Sequence, residues 1–241
     1  MGIRYEFIFP EDGSQLTVET EAASRRASNA EGAEAHADWT RLEYCQCTNC
    51  PLDKNEHERC PAALDMQPVV EDFRALPAFR KVEVRVISKE REYRKFTGIE
   101  EGLRSLMGLI MANSACPILS NLKPMATTHL PFSSQDEFII RSVGTYLVRQ
   151  YYKKQNGDEA DWELEGLVTL NRELQLVNQA LWQRVHSACE GDSNLKALLS
   201  FFSMSASVSY SLEAQLRKLK PAFMSITDPL QQFEMLEPIN K

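Results

Sequence analysis

Sulfur ligands are concentrated in one short stretch of the sequence. Four of the six cysteines and one of the four histidines lie between Cys45 and Pro61. Cys47 and Cys50 have the C-x2-C spacing that places two thiolates on one tight turn, where both can bind a borderline-soft cation such as zinc. Cys60 follows as a third ligand. The stretch therefore predicts a site that holds a metal ion or a redox group through sulfur.

A tetrahedral zinc site needs a fourth ligand, and the sequence offers several candidates. Cys45 and His57 lie in the same stretch, and His129 is a more distant alternate. Cys116 is followed by proline, as are Cys60 and the second member of the C-x2-C pair. A proline after the ligand fixes the local backbone direction and removes a competing donor. If Cys116 closes the site, the metal ties the N-terminal half to the residues that follow a central helix.

Other interpretations of the cysteines stay open. An iron–sulfur cluster also uses four cysteines, but the spacing differs from that of common ferredoxins, so zinc is the first expectation and a cluster the alternative. Structural thiols without a metal are a further alternative. A thiol enzyme that pairs Cys116 with His129 is the weakest, because the sequence shows no oxyanion hole and no orienting third group. The common nucleotide-binding, hydrolase and zincin motifs are absent, so no catalytic residues are predicted.

Several segments, occurring in one order, resemble a family of uncharacterised bacterial proteins, a domain of unknown function. The motifs that carry the resemblance are C-x-x-C-P, two further C-P steps and H-L-P-F. The resemblance extends over most of the chain after Trp39. The resemblance brings no activity with it. It implies that Cys45 is peculiar to this chain and favours Cys116 as the fourth ligand. The cysteines that belong to the family pattern are Cys47, Cys50, Cys60 and Cys116.

Length and composition predict a folded protein in a reducing compartment. The chain has 241 residues, 43% of them hydrophobic and 25% charged, which is enough to bury a core. A net charge of -7 argues against non-specific attraction to nucleic acid or to an anionic membrane. The first twenty residues contain no apolar signal region, and the longest uncharged run is broken by polar residues. We therefore expect a cytoplasmic location without membrane attachment, where disulfides are disfavoured.

The N-terminal residues 1–19 predict a β-hairpin. Apolar and polar residues alternate in residues 3–9 and again in residues 15–19, on either side of a turn signal that ends at Gly13. Residues 20–38 are rich in Ala, Glu and Ser and contain almost no large apolar side chain. Such a composition predicts a flexible acidic linker, because it buries too little apolar surface to order itself.

A second hairpin is predicted where residues 81–87 alternate and a partner strand returns after a turn at Ser88 and Lys89. A two-residue turn there places Arg85 opposite Glu92. Residues 74–95 contain eight basic and three acidic residues. No aromatic ladder accompanies these charges, so we expect a solvated face rather than a nucleic-acid surface.

The rest of the chain predicts mainly helices, and the fold class is therefore α+β. It is a small antiparallel sheet of two hairpins packed with a mainly helical C-terminal half. Residues 39–157 are predicted as a Cys-rich α+β core with a central buried helix that ends near Asn113. Apolar spacings of three and four predict an antiparallel helical hairpin over residues 158–219. Residues 220–241, with three prolines, are predicted as a tail.

These features together predict a cytosolic metal-binding protein that acts as a binding or regulatory module rather than as an enzyme. An iron–sulfur redox or sensor protein is the alternative. We expect an unknown protein partner and self-association through residues 158–219. A nucleic-acid partner is expected only if the basic residues 74–95 bind it.

Overall fold

The computed structural model describes residues 2–20, 36–189 and 191–224 of the chain. Within these residues it contains one antiparallel sheet of four strands, and its helices lie mostly in the C-terminal half, which confirms the predicted α+β class. The strands are β1 (Arg4–Ile8), β2 (Gln15–Glu19), β3 (Lys81–Ile87) and β4 (Glu92–Gly98). The α-helices are α1 (Pro61–Asp72), α2 (Ile99–Asn113), α3 (Lys123–Thr127), α4 (Gln135–Gln155), α5 (Glu165–His186) and α6 (Ser193–Met224).

The two predicted hairpins join into a single sheet with the strand order β2-β1-β3-β4. Strands β1 and β3 pair antiparallel at its centre, where Phe7 lies opposite Val84. Gly13 sits in the first hairpin turn with a φ of 70°, a left-handed conformation that favours glycine. Most of the linker predicted over residues 20–38 lies outside the described residues.

The predicted register of the second hairpin is wrong by two residues. Arg85 lies opposite Arg94 instead of Glu92, because the loop between β3 and β4 has four residues rather than two. The Ser88 amide closes this loop by donating to the Arg91 carbonyl at 2.9 Å. A shift of two residues leaves every side chain on its own face of the sheet. Arg85 therefore still reaches Glu92 diagonally, with 3.0 Å between Nε and Oε1.

Helix α2 lies against the sheet, as expected of a central buried helix. Gly102 marks the closest approach, since a Cβ atom there would lie 2.6 Å from Cε1 of Phe7 and 2.9 Å from Cγ2 of Val84. The Phe7 ring also packs edge-to-face on Phe73, just after α1, with 4.8 Å between ring centroids. The absence of a side chain at Gly102 lets the helix backbone sit close to the strands.

One hydrophobic core runs from the sheet through α1 and α2 to the hairpin formed by α5 and α6. Tyr5, Leu106, Leu181 and Leu198 come from these different layers, and all are fully or almost fully buried. A second, smaller cluster joins α4 to α5 and α6. The helical hairpin thus shares its core with the cysteine-containing region. Helix α6 continues to Met224, into the predicted tail, and residues 225–241 lie outside the described residues.

Ion pairs join the acidic N-terminal hairpin to the basic residues 74–95. Arg80 lies 3.2 Å from Asp12, and Arg85 lies 3.0 Å from Glu6. On the face of the sheet that points away from the helices, basic side chains are therefore largely paired with acidic ones. Among the described helices, none combines the length and the apolar character needed to cross a bilayer.

Candidate functional site

The cysteine stretch forms a loop that is closed at its base by backbone hydrogen bonds. The Leu42 amide donates to the Glu58 carbonyl at 2.9 Å, and the Cys60 amide donates to the Thr40 carbonyl at 2.8 Å. We refer to residues 37–42 as the entry segment and to residues 43–57 as the cysteine loop. These bonds fix where the loop begins and ends, so the cysteines within it are held near the start of α1.

Within the cysteine loop, the C-x2-C pair forms a tight turn. The Cys50 amide donates to the Cys47 carbonyl at 3.0 Å. Next to this turn, the side-chain amide of Gln46 donates to the Leu52 carbonyl at 3.0 Å. Cys47 and Cys50 are half-buried and pack against the main hydrophobic core. The turn therefore presents both thiols toward the protein interior.

The other two cysteines of the predicted set come from the ends of two helices. Cys60 is the N-cap residue of α1, is followed by Pro61 at the first helical position, and is buried. Cys116 follows the end of α2, is also buried, and its amide donates to the Ser114 hydroxyl at 3.1 Å. Three separate segments of the chain thus supply the four thiols.

The pKa shifts of Cys47 and Cys60 depend in part on the other cysteines of this set. Burial, followed by charge on Cys60, Cys50 and Cys116, raises the pKa of Cys47 to about 12. Burial also raises the pKa of Cys60, while the charge of Arg184 lowers it. Such effects require Cys50, Cys60 and Cys116 to lie within electrostatic reach of Cys47.

A buried arginine faces this cluster. Arg184 on α5 is 1% exposed, and its guanidinium donates to three carbonyls of the entry segment. The distances are 2.7 Å to Trp39, 2.5 Å to Arg41 and 2.8 Å to Leu42. Its Nε has no hydrogen-bond partner within the described residues, and no carboxylate there pairs with it. The Arg184 charge lowers the pKa of both Cys47 and Cys60, so it favours their thiolate forms.

The sequence reasoning did not find Arg184. The signal was its position on the apolar stripe of α5, three residues after Leu181 and seven after Val177, both of which are buried. A charged residue at such a position must bury its head group against a partner. The sequence alone gives no indication that the partner is the backbone of the entry segment.

Helix α5 also holds the cysteine loop at two other points. The Asn49 side-chain amide donates to the Glu173 carbonyl at 3.1 Å. The Tyr44 hydroxyl donates to the Ser187 hydroxyl, just after the helix, at 2.7 Å. Together with Arg184 these contacts connect the loop to the helical half of the protein.

The alternate ligands lie in different surroundings. Cys45 is exposed and has a φ of 51°. His57 is exposed on the cysteine loop. The Nε2 atom of His129 lies 2.6 Å from the Tyr5 hydroxyl, and burial lowers the pKa of its ring to about 4. The structure thus brings together Cys47 and the three Cys-Pro cysteines, but not these alternates.

Chemically, the cluster can supply sulfur ligands or thiols for redox chemistry. Across residues 2–20, 36–189 and 191–224, no three His, Cys, Asp or Glu side chains are arranged so that they could hold a metal ion. In this arrangement the cysteine side chains do not form a set of metal ligands. Because zinc binds thiolates, binding would require the raised pKa of Cys47 to be overcome by the charge of the metal.

The chain belongs to the family described as Domain of unknown function (DUF6901), which it matches over residues 3–224. This range includes the sheet, all six described α-helices and the cysteine cluster. Searches of curated proteins and of solved structures find no match.

Proposed function

We propose that this member of the DUF6901 family is a metal-binding protein that holds a structural zinc ion and acts as a binding or regulatory module rather than as an enzyme. The proposed ligands are Cys47, Cys50, Cys60 and Cys116. The observation that carries the proposal is that these four cysteines, supplied by three segments of the chain, all pack in or against the main hydrophobic core, where charge on the other three raises the pKa of Cys47. Zinc is the ion for which four thiolates form a closed structural site.

The charge environment supports this proposal. Zinc bound by four thiolates carries a net charge of about −2, which is costly to bury without compensation. The guanidinium of Arg184 supplies a buried positive charge that acts on Cys47 and Cys60. The start of α1 adds a further favourable effect, since the Ala62 and Ala63 amides lower the pKa of Cys60. These groups favour negative charge at the cluster.

The positions of the ligands explain why we propose a structural role. A tetrahedral site places its sulfurs about 3.8 Å apart, given Zn–S bonds of about 2.3 Å. Closing the four thiols to that spacing would fasten the cysteine loop to the start of α1 and the end of α2. Since Cys60 and Cys116 belong to the hydrophobic core, the free energy of metal binding becomes free energy of folding.

Elemental analysis combined with an absorption spectrum tests the metal. We expect about one zinc per chain in protein purified under reducing conditions, with no visible absorption. A brown protein whose absorption is bleached by dithionite would replace zinc with an iron–sulfur cluster. A folded protein with neither metal would overturn the proposal. The cytoplasmic location expected from the sequence fits the proposal because it keeps the thiols reduced.

The ligand set is tested by serine substitutions. Cys116→Ser should remove most of the bound zinc, because the oxygen is a poorer ligand and cannot close the four-thiolate set. Cys45→Ser is the matched control, since this exposed cysteine lies in the same loop and should leave zinc content unchanged. Loss of zinc in Cys45→Ser with retention in Cys116→Ser would reassign the fourth ligand.

Self-association through residues 158–219 is a further part of the proposal. Large apolar side chains remain exposed along this hairpin, notably Trp162, Leu199 and Tyr210. A second copy of the chain would cover them. Light scattering should show a dimer for the unchanged protein and a monomer for Tyr210→Asp. A strict monomer for the unchanged protein would overturn the proposed self-association.

A further inference from the structure

A cavity of about 710 Å³ lies on the side of the protein formed by α3, α4 and α5. Its volume is in the range of small-molecule sites. Apolar side chains dominate its wall, and two arginines of α4, Arg141 and Arg149, are the charged residues among the described side chains that line it. The apolar part of the wall is formed mainly by Leu122, Pro124, Met125, Val148, Leu167 and Leu170.

The two arginines have no carboxylate ion-pair partner within the described residues, but they differ in their other contacts. Arg141 is half-buried, and its Nη2 donates to the carbonyls of Met125 at 2.8 Å and Thr128 at 3.0 Å. Arg149 is exposed, and its Nη1 makes a single 3.3 Å hydrogen bond to Oδ1 of Asn121. Arg141 therefore holds α3 in place, whereas the guanidinium of Arg149 has donors left for an anion.

Arg149 also marks a change in the polarity of the wall. A second cleft of about 280 Å³ adjoins the cavity and shares Arg149 with it. The other residues common to both are Asn121, Tyr146 and Leu170, and the side chains found only in the cleft are mainly polar: Gln150, Lys153, Thr169 and Glu173. An apolar cavity thus continues past a positive charge into a polar cleft. This order matches a molecule with a long apolar chain and an anionic head.

We propose that this cavity binds a fatty-acid-like amphiphile, with its alkyl chain in the apolar cavity and its carboxylate on Arg149. The side chains that line the cavity include two arginines and no acidic residue, and in the adjoining cleft Lys153 accompanies the one acidic side chain, Glu173. Arginine binds a carboxylate through two parallel hydrogen bonds, which fixes the orientation of the head. Met125, a flexible side chain suited to an apolar ligand, lies in the cavity wall.

Calorimetric titration of the full-length protein with dodecanoate tests the proposal. Each methylene contributes a transfer free energy that corresponds to about a fourfold change in Kd, so decanoate should bind about fifteenfold more weakly than dodecanoate. Equal affinity for the two chain lengths, or no binding of dodecanoate at 1 mM or below (about −4 kcal/mol), would overturn it.

Two variants locate the ligand. Gly144 lines the cavity, and a Cβ there would meet no atom within 4 Å, so Gly144→Leu fills the cavity without disturbing its wall. This variant should fold normally and lose dodecanoate binding. Arg149→Gln should weaken dodecanoate about fivefold but leave 1-dodecanol unaffected, since only the former is charged. Arg217→Gln, an exposed arginine on α6, is the matched control.

The same variants identify a different occupant. If the protein is a dimer that Gly144→Leu converts to a monomer, while dodecanoate binding is absent or unaffected, the cavity belongs to a second copy of the chain. That result would overturn the proposal. Retained dodecanoate binding in a folded Gly144→Leu protein would also overturn it, because the ligand would then lie elsewhere.

Discussion

Replacing Arg184 by methionine tests whether this buried charge holds the cysteine cluster together. Methionine has a similar length, so the change removes the charge and the donors while filling most of the space. The guanidinium donates to the carbonyls of Trp39, Arg41 and Leu42, and the substitution leaves these three acceptors without that donor.

The stability loss follows from those contacts. A hydrogen bond to a charged group contributes about 1.5–3 kcal/mol, and an acceptor left unpaired costs about 1–3 kcal/mol. When both partners of a buried ion pair are replaced by apolar residues, the stability can stay unchanged. Here the partners of Arg184 are backbone carbonyls, which no substitution removes. Since the three bonds share one side chain and are not additive, we expect Arg184→Met to lower the free energy of unfolding by about 3 kcal/mol. For a chain of this size that lowers Tm by about 6–12 °C.

The assay separates the structural effect from the effect on metal binding. Urea unfolding in the presence of a chelator measures stability of the metal-free protein. Competition against a zinc chelator then measures affinity, which we expect to fall about 10–100-fold because Arg184 no longer lowers the pKa of Cys47 and Cys60. Arg184→Lys retains the positive charge but not the planar guanidinium with its several donors. It should therefore lower the stability while keeping most of the zinc affinity.

Arg59→Met is the matched control. Arg59 also donates to the entry segment, to the Thr40 hydroxyl at 2.7 Å and the Ala37 carbonyl at 3.2 Å. Unlike Arg184, it is not among the leading causes of the pKa shifts of Cys47 and Cys60. It should reduce stability without changing zinc affinity. Equal losses of affinity in Arg59→Met and Arg184→Met, or an unchanged stability in Arg184→Met, would refute the reasoning.

Three further predictions concern the fold. Gly102→Ala should lower the free energy of unfolding by about 1–3 kcal/mol in urea titrations, because its Cβ would lie 2.6 Å from the Phe7 ring, and an unchanged midpoint would contradict this packing. Burial lowers the pKa of His129 to about 4, so only the unfolded chain takes up its proton as pH falls below about 6.5. Unfolding curves should therefore show about 2 kcal/mol less stability at pH 5 than at pH 7, and the difference should shrink in His129→Gln. Ser134→Ala removes the capping box with Glu137 at the start of α4 and should reduce thermal stability by about 1 kcal/mol.

The strands could be predicted because alternation is a local signal, whereas the register of the second hairpin could not. The predicted register and the observed one differ by two residues, so both keep Val84 on the buried face and Arg85 on the charged face. Alternation alone cannot distinguish them. The loop determines the register, because the amide and the hydroxyl of Ser88 both form hydrogen bonds with the backbone of Arg91. The sequence does not reveal that preference.

For the site, cysteine spacing was informative about residues close in sequence, and the recurring Cys-Pro step suggested Cys116. That the charge of Cys116 acts on Cys47 depends on how α2 packs against α1, which spacing does not predict. Arg184 was missed for the same reason, since its partners lie more than 140 residues earlier in the chain. Long-range contacts of this kind follow from packing of the whole core rather than from any local pattern.

The buried charge of Arg184 explains how the cluster and the entry segment depend on each other. A buried cation without a carboxylate is unfavourable, and here three carbonyl dipoles provide part of the compensation. Protonated thiols add little, because they carry no charge. If the thiols become thiolates around zinc, the arginine gains anionic neighbours while it still holds the entry segment. Metal binding would then strengthen the contacts of α5 with the start of the cysteine loop, even though no proposed ligand lies on that helix. The contacts of the helical half of the protein would in this way depend on whether the cluster is occupied, which gives the proposed regulatory role a physical basis.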